Sequence, residues 1–131
     1  MRFVDSNIFI YLMASDPKYG TTAGKILERI EEKESAVTST LVISQVSAYL
    51  KWKKRVDVIP SFLEFLQSLP NLSKMETSFS DFVEAKKMQH LHWSHWDDFV
   101  IASQMKRSNI AEIYSNDSDF DSISGIERFF E

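Results

Sequence analysis

Glu112-Ile113-Tyr114-Ser115-Asn116-Asp117-Ser118-Asp119-Phe120-Asp121 is the stretch on which the reading of the fold turns. The apolar run from Ile110 to Tyr114 reads as a buried strand that enters a polar turn carrying three alternating carboxylates. In an open α/β sheet, sites form where strands end and loops begin. Carboxylates gathered there repel one another, and their usual compensator is a divalent cation held by oxygen ligands. A calcium loop of the EF-hand kind is excluded. It needs Gly at its sixth position and Glu at its twelfth, where this chain has Ser122 and Arg128. Taken alone, the acids are also accounted for by a solvated turn with an Asx cap.

Working outward, other carboxylates stand at comparable places. Arg2-Phe3-Val4 reads as a short strand ending on Asp5, with Ser6 and Asn7 able to cap the following helix. Asp98 opens a late helix whose next residues, Phe99 to Ala102, are very apolar, so this acid is expected to be buried and to need a partner. Asp97 beside it is a further first-turn acid that suits the helix dipole.

Between these points the pattern alternates strands and helices. A helix opens at Thr21 or Thr22, and a strand spans Ser35 to Ser39. A third helix, from about Leu41 to Lys53, is capped by Ser39 or Thr40 and carries Gln45 one turn in. It runs into Lys51, Trp52, Lys53, Lys54 and Arg55, the only strongly basic run in the chain. That run reads as cations favoured by a helix C-terminus, or as a phosphate-contacting patch with Trp52 as a stacking surface. Asp57 is expected to cap a fourth helix and Ser80-Asp81 to start a fifth. A weak strand is expected over Leu72 to Thr77, and an edge strand over Glu127 to Phe130. His90, His92 and His95 among Trp93 and Trp96 read as aromatic packing between helices, because His90 and His92 diverge on a helix and make no zinc face. Ser94 or His95 is read as the cap of the late helix.

Length and composition fit one domain over residues 1–131, with 44% hydrophobic and 26% charged residues. A net charge of −4 offers no global attraction to nucleic acid, so an RNA partner needs a local basic patch or a metal. The absence of cysteine excludes disulfides and thiolate metal sites and fits a reducing cytoplasm. No apolar run reaches membrane-spanning length, and a strand beginning at Arg2 leaves no room for a signal peptide.

The ordered pieces are Phe3-Val4-Asp5-Ser6-Asn7, Thr38-Ser39-Thr40, Asp98-Phe99-Val100-Ile101-Ala102 and Ser115-Asn116-Asp117-Ser118-Asp119-Phe120. Together they resemble the PIN-domain family, and within it the VapC-type toxins of toxin–antitoxin pairs. The resemblance implies an α/β fold with a central parallel sheet flanked by helices on both sides. It implies a Mg²⁺- or Mn²⁺-dependent endoribonuclease with an RNA substrate, a small antitoxin protein as partner, and a homodimer. A surplus of aromatic residues in a small domain points to a dimer interface as well. Asp5, Asp98 and Asp117 match the family's metal-binding acids, Asp119 an auxiliary one, and Ser115 its small hydroxyl residue. The family places a glutamate where this chain has Gln45. The expected site is therefore one charge short, with weaker metal occupancy and reduced activity, or a PIN-like RNA- or protein-binding module. A glutamate at position 45 would tighten Mn²⁺ binding and lower stability without metal. A phosphoacceptor receiver domain also clusters acids on a parallel sheet, but it needs a lysine after the last strand, and none follows Ser115.

Overall fold

The computed structural model describes residues 1–91 and 96–131. Five strands, β1 (Arg2–Val4), β2 (Ala36–Ser39), β3 (Leu72–Met75), β4 (Glu112–Tyr114) and β5 (Glu127–Phe129), form one sheet in the order β3-β2-β1-β4-β5. Every pairing is parallel. Phe3 and Val4 are both fully buried, as are Ile113 and Tyr114. Successive strand residues point to opposite faces, so helices must cover both sides. They are α1 (Ser6–Met13), α2 (Gly20–Glu32), α3 (Thr40–Trp52), α4 (Ile59–Gln67), α5 (Phe79–Ala85) and α6 (Trp96–Arg107). Helix α1 packs against α2 and α3, and α5 packs against α6. The α/β architecture expected from the sequence is the one observed.

Local chemistry sets the boundaries and corrects three of them. Helix α2 starts at Gly20, just ahead of the expected threonines, after Asp16 accepts from the backbone N–H of Lys18 and Tyr19 at 2.8 Å each. Asp57 does not cap α4. It lies in a 3-10 turn, Val56–Val58, and pairs with Arg55 at 3.1 Å, while Val58 precedes the helix. Helix α5 begins before Ser80, because Ser78 is its N-cap and donates its N–H to Asp81 at 2.8 Å. Asp81 also accepts two bonds from Arg107 at 2.9 Å, which ties α5 to the end of α6.

Helices α1, α3 and α6 end alike. Ser15, Lys54 and Asn109 take left-handed φ values of 48°, 59° and 56°. The next residue's N–H then reaches back across the turn: Asp16 to Tyr11, Arg55 to Leu50 and Ile110 to Met105. This is the closure that glycine usually serves, made here by residues that carry a Cβ.

Strand β1 lies at the centre. The chain leaves it toward β2 and β3 on one side and toward β4 and β5 on the other. The carboxyl ends of β1 and β4 therefore flank a topological switch point, the place where open α/β sheets form crevices.

Candidate functional site

Asp5 leaves β1 in an extended conformation and caps α1. Its carboxylate accepts from Ser6 N–H at 2.7 Å, from the Asn7 side-chain amide at 3.0 Å and from Ser115 Oγ at 2.6 Å. Ser115 leaves β4, and its Oγ also accepts from Asn7 at 3.1 Å and from the Asp117 N–H at 3.0 Å. Asn7 closes the ring by accepting from Asn116 N–H at 3.1 Å. The ends of β1 and β4 are thus locked together by polar bonds around a buried carboxylate. Burial pushes the Asp5 carboxyl above its usual range, against the bonds from Ser115 and Ser6, and the Asp117 charge pushes the same way.

Asp98 arrives on the first turn of α6, buried as its apolar neighbours require, at 8% exposure. Its Oδ2 has no hydrogen-bond partner among the described residues. Burial, then the charges of Asp117 and Asp5, push its carboxyl up to about 8. Oxygens of Asp98, Asp117 and Asp119 all lie within 4.8 Å of one another. The Asp117 side chain accepts from Asp119 N–H at 2.9 Å and so orders the turn that presents both acids.

These groups face an open cleft of about 400 Å³. Asp5, Ser6 and Asn7 line it from the β1 end, Gln45 from α3, Trp96, Asp97 and Asp98 from α6, and Asp117 from the turn after β4. No lysine, arginine or histidine is among these lining residues. Among the described residues the donors are side-chain oxygens, most of them carboxylate, which suits a hard divalent cation and not a soft one. Two oxygens bound to one Mg²⁺ lie roughly 3–4 Å apart, so the acidic trio needs little movement to share an ion. The orphaned Asp98 oxygen is the buried atom such an ion would satisfy.

Gln45 donates its amide to Asp97 Oδ2 at 2.9 Å, leaving its own carbonyl oxygen buried and unpartnered among the described residues. Asp97 therefore lines the cleft beside Asp98, tied to α3. Asp121, third of the alternating acids, is drawn out of the site by two bonds from Arg128, each 2.9 Å. The basic run is also elsewhere. Lys51 and Trp52 follow Gln45 down α3, roughly 9–11 Å further along the axis, Lys53, Lys54 and Arg55 come after the end of that helix, and none of the five lines the cleft. His92, Trp93, Ser94 and His95, and with them most of the histidine-rich stretch and the expected cap of α6, lie outside the described residues.

Asn7 and Asp97 are the cleft residues that sequence reasoning undervalues. Asn7 reads only as a helix cap, and Asp97 as a dipole acid. The available signal is position: Asn7 stands two residues after Asp5, and Asp97 directly before Asp98.

The sequence matches the PIN domain family over residues 2–126, and the chain belongs to that family. No curated protein sequence matches it. Among solved structures, it is similar to Mycobacterium tuberculosis VapC20, described as a Sarcin-Ricin loop cleaving toxin. The identity is 15%, the TM-score 0.79, and the coverage 93% of this chain and 94% of that one. It is also similar to VapBC2 from Rickettsia felis, solved bound to a DNA fragment from its promoter, at 17% identity and TM-score 0.73, covering 98% and 96%. FitAcB from Neisseria gonorrhoeae matches at 16% identity and TM-score 0.69, with 98% and 96% covered. At these identities the likeness establishes the fold.

Proposed function

We propose that this chain is a Mg²⁺- or Mn²⁺-dependent endoribonuclease, the toxin of a VapBC-type pair. The observation that carries this reading is Asp98: a buried carboxylate set near Asp5, Asp117 and Asp119, with one oxygen unpartnered and no cationic side chain lining the cleft among the described residues. When bound, a divalent ion supplies an acidified water and neutralises charge on phosphate. Asp98, Asp117 and Asp119 hold the ion. Asp5 borders the same space, oriented by Ser115 and Asn7. The acids leave room in the open cleft for a phosphodiester, and the basic run on α3 contacts RNA backbone beyond it.

The partners follow from the same reading. Solved relatives of this fold include toxin–antitoxin complexes, which supports a small antitoxin protein. No helix among the described residues is long and apolar enough to cross a membrane, and the cytoplasm is the proposed location. The surplus of aromatic residues in so small a domain supports a homodimer.

The test is cleavage of a mixed RNA pool with Mg²⁺, with Mn²⁺ and with EDTA. Cleavage that survives EDTA would sink the metal mechanism. Gln45 favours a second reading, a PIN-like RNA- or protein-binding module with a weakened site. RNA retention without cleavage at millimolar Mn²⁺ is the outcome that selects it.

A further inference from the structure

Asp97 is the feature of the cleft that the proposed reaction does not use. It sits in the first turn of α6, directly before Asp98, and lines the same space. First-turn acids commonly need no partner beyond the helix dipole. Asp97 has one: the Gln45 amide from α3 reaches it at 2.9 Å, across a separation of 52 residues. An amide in this position does two things a carboxylate could not. It donates to Asp97, which fixes the carboxylate's direction, and it does so without adding a charge to the cleft. The same bond turns the Gln45 carbonyl into a buried oxygen that accepts from nothing described. The pair therefore brings a carboxylate and an amide oxygen to the cleft, the amide oxygen having no donor among the described residues.

We propose that Asp97 is a working carboxylate of the cation site, positioned by Gln45, so that the α3–α6 pair holds the water shell of the bound ion. The inference rests on the metal-dependent reading above and adds to it a charge that the trio Asp98, Asp117 and Asp119 does not contain. Asp97 is outside the group of oxygens that lie within 4.8 Å of one another, so its action is through water on the ion. Outer-shell groups of this kind commonly govern affinity by about 10–100-fold.

Calorimetric titration of Mn²⁺ into the full chain tests it without any activity readout. Four proteins are compared: the chain as it stands, Asp97→Asn, Gln45→Glu, and the reciprocal swap Gln45→Glu/Asp97→Asn. The swap keeps one acid and one amide on the two sides of the same bond, so its charge equals that of the parent. If Asp97 works on the ion, Asp97→Asn binds about tenfold or more weakly, Gln45→Glu binds more tightly, and the swap returns to parental affinity. Affinity then follows the number of carboxylates, whichever helix carries them. If Asp97 is only a helix-dipole acid, Asp97→Asn equals the parent and the swap equals Gln45→Glu, and the proposal is overturned while the metal reading stands. A parent that takes up no Mn²⁺ at millimolar concentration overturns both. Circular dichroism on each variant verifies that the affinities are those of folded protein.

Discussion

Ser115 Oγ lies 2.6 Å from Asp5 Oδ2, although 110 residues separate them in the chain. The two stand at the carboxyl ends of β1 and β4, neighbours in the sheet. Ser115 also takes the Asp117 N–H at 3.0 Å, so one hydroxyl holds two segments of the cleft in register. Ser115→Ala removes a donor to a buried carboxylate. A charged hydrogen bond of this kind contributes roughly 1.5–3 kcal/mol, and that much loss of stability is expected. Mn²⁺ affinity should fall about tenfold or more, because Asp5 and Asp117 lose their orientation. Thermal unfolding and Mn²⁺ titration of the variant check both, and an unchanged affinity would mean the hydroxyl serves the fold alone.

Asp81 and Arg107 hold α5 against α6 through two bonds of 2.9 Å. The carboxylate is almost fully buried, while the guanidinium is partly exposed. Burial alone would raise the Asp81 carboxyl, but the bonds from Arg107 and Ser78 outweigh it and hold it below the usual range. Arg107→Ala leaves that buried charge uncompensated and should cost about 2–4 kcal/mol. The loss is expected to be largest above the ordinary carboxylate pKa and to fade on acidification as Asp81 takes a proton. Urea unfolding at neutral and acidic pH measures it. A variant as stable as the parent at neutral pH would assign α5 docking to packing alone.

The basic run and the acidic cleft are separate surfaces of α3. Trp52 is 73% exposed, with the Lys53 ammonium 4.7 Å from its ring centroid. Replacing Lys51, Lys53 and Lys54 together by alanine should weaken RNA binding and flatten its salt dependence by about two to three counterions. Mn²⁺ affinity should not change. Filter binding across a salt series reads the first, and calorimetry the second. Unaltered RNA affinity would leave the run as a helix terminus, with Lys54 simply the left-handed residue that closes α3.

Much of this arrangement is legible in the sequence, for identifiable reasons. Asp5, Asp98 and Ser115 each adjoin an apolar run, and apolar runs become buried elements whose ends have fixed places in a parallel sheet. Turn chemistry marks most boundaries, since Ser39 and Asn109 do what their types favour. The misplaced caps have a physical cause. Asp57 finds Arg55 two residues away, and Ser78 competes with Ser80 for the same helix start. The Gln45–Asp97 bond is not legible, because it depends on how two helices approach across the cleft. Nor is the loss of Asp121 to Arg128, since alternation along the chain says nothing about which acid meets a cation.

Proton release should accompany metal binding. With its carboxyl pushed up to about 8, Asp98 is protonated at pH 6.5 in the metal-free protein. A cation needs the ionised form, so uptake expels that proton. Calorimetry at pH 6.5 in buffers of different ionisation enthalpy should report about one proton released per Mn²⁺, falling toward zero above pH 9. A value near zero at pH 6.5 would place the ion away from Asp98.

The same carboxylate sets a trade between stability and function. An acid whose folded pKa lies above its unfolded value binds its proton more tightly in the native state. The stability it contributes is full below the ordinary 3.8 and is lost as pH rises through about 8. Asp5 is raised too and acts with the same sign. The metal-free protein should therefore lose melting temperature between pH 5 and pH 8, and Mn²⁺ should restore it at the upper end by occupying the site. Asp98→Asn keeps the shape and removes the charge. At pH 8 and above, where Asp98 ionises, this variant should be more stable than the metal-free parent by about 1 kcal/mol, the scale of a buried polar group left unpaired. It should no longer gain from Mn²⁺, and RNA cleavage should fall by two decades or more. Asp5→Asn and Asp117→Asn should lose cleavage as well. Melting curves of parent and Asp98→Asn at pH 5 and pH 8.5, each with EDTA and with Mn²⁺, make the comparison. If Asp98→Asn melts lower than the parent at pH 8.5 in EDTA, the buried carboxylate is a structural anchor and not a charge kept in place for a cation.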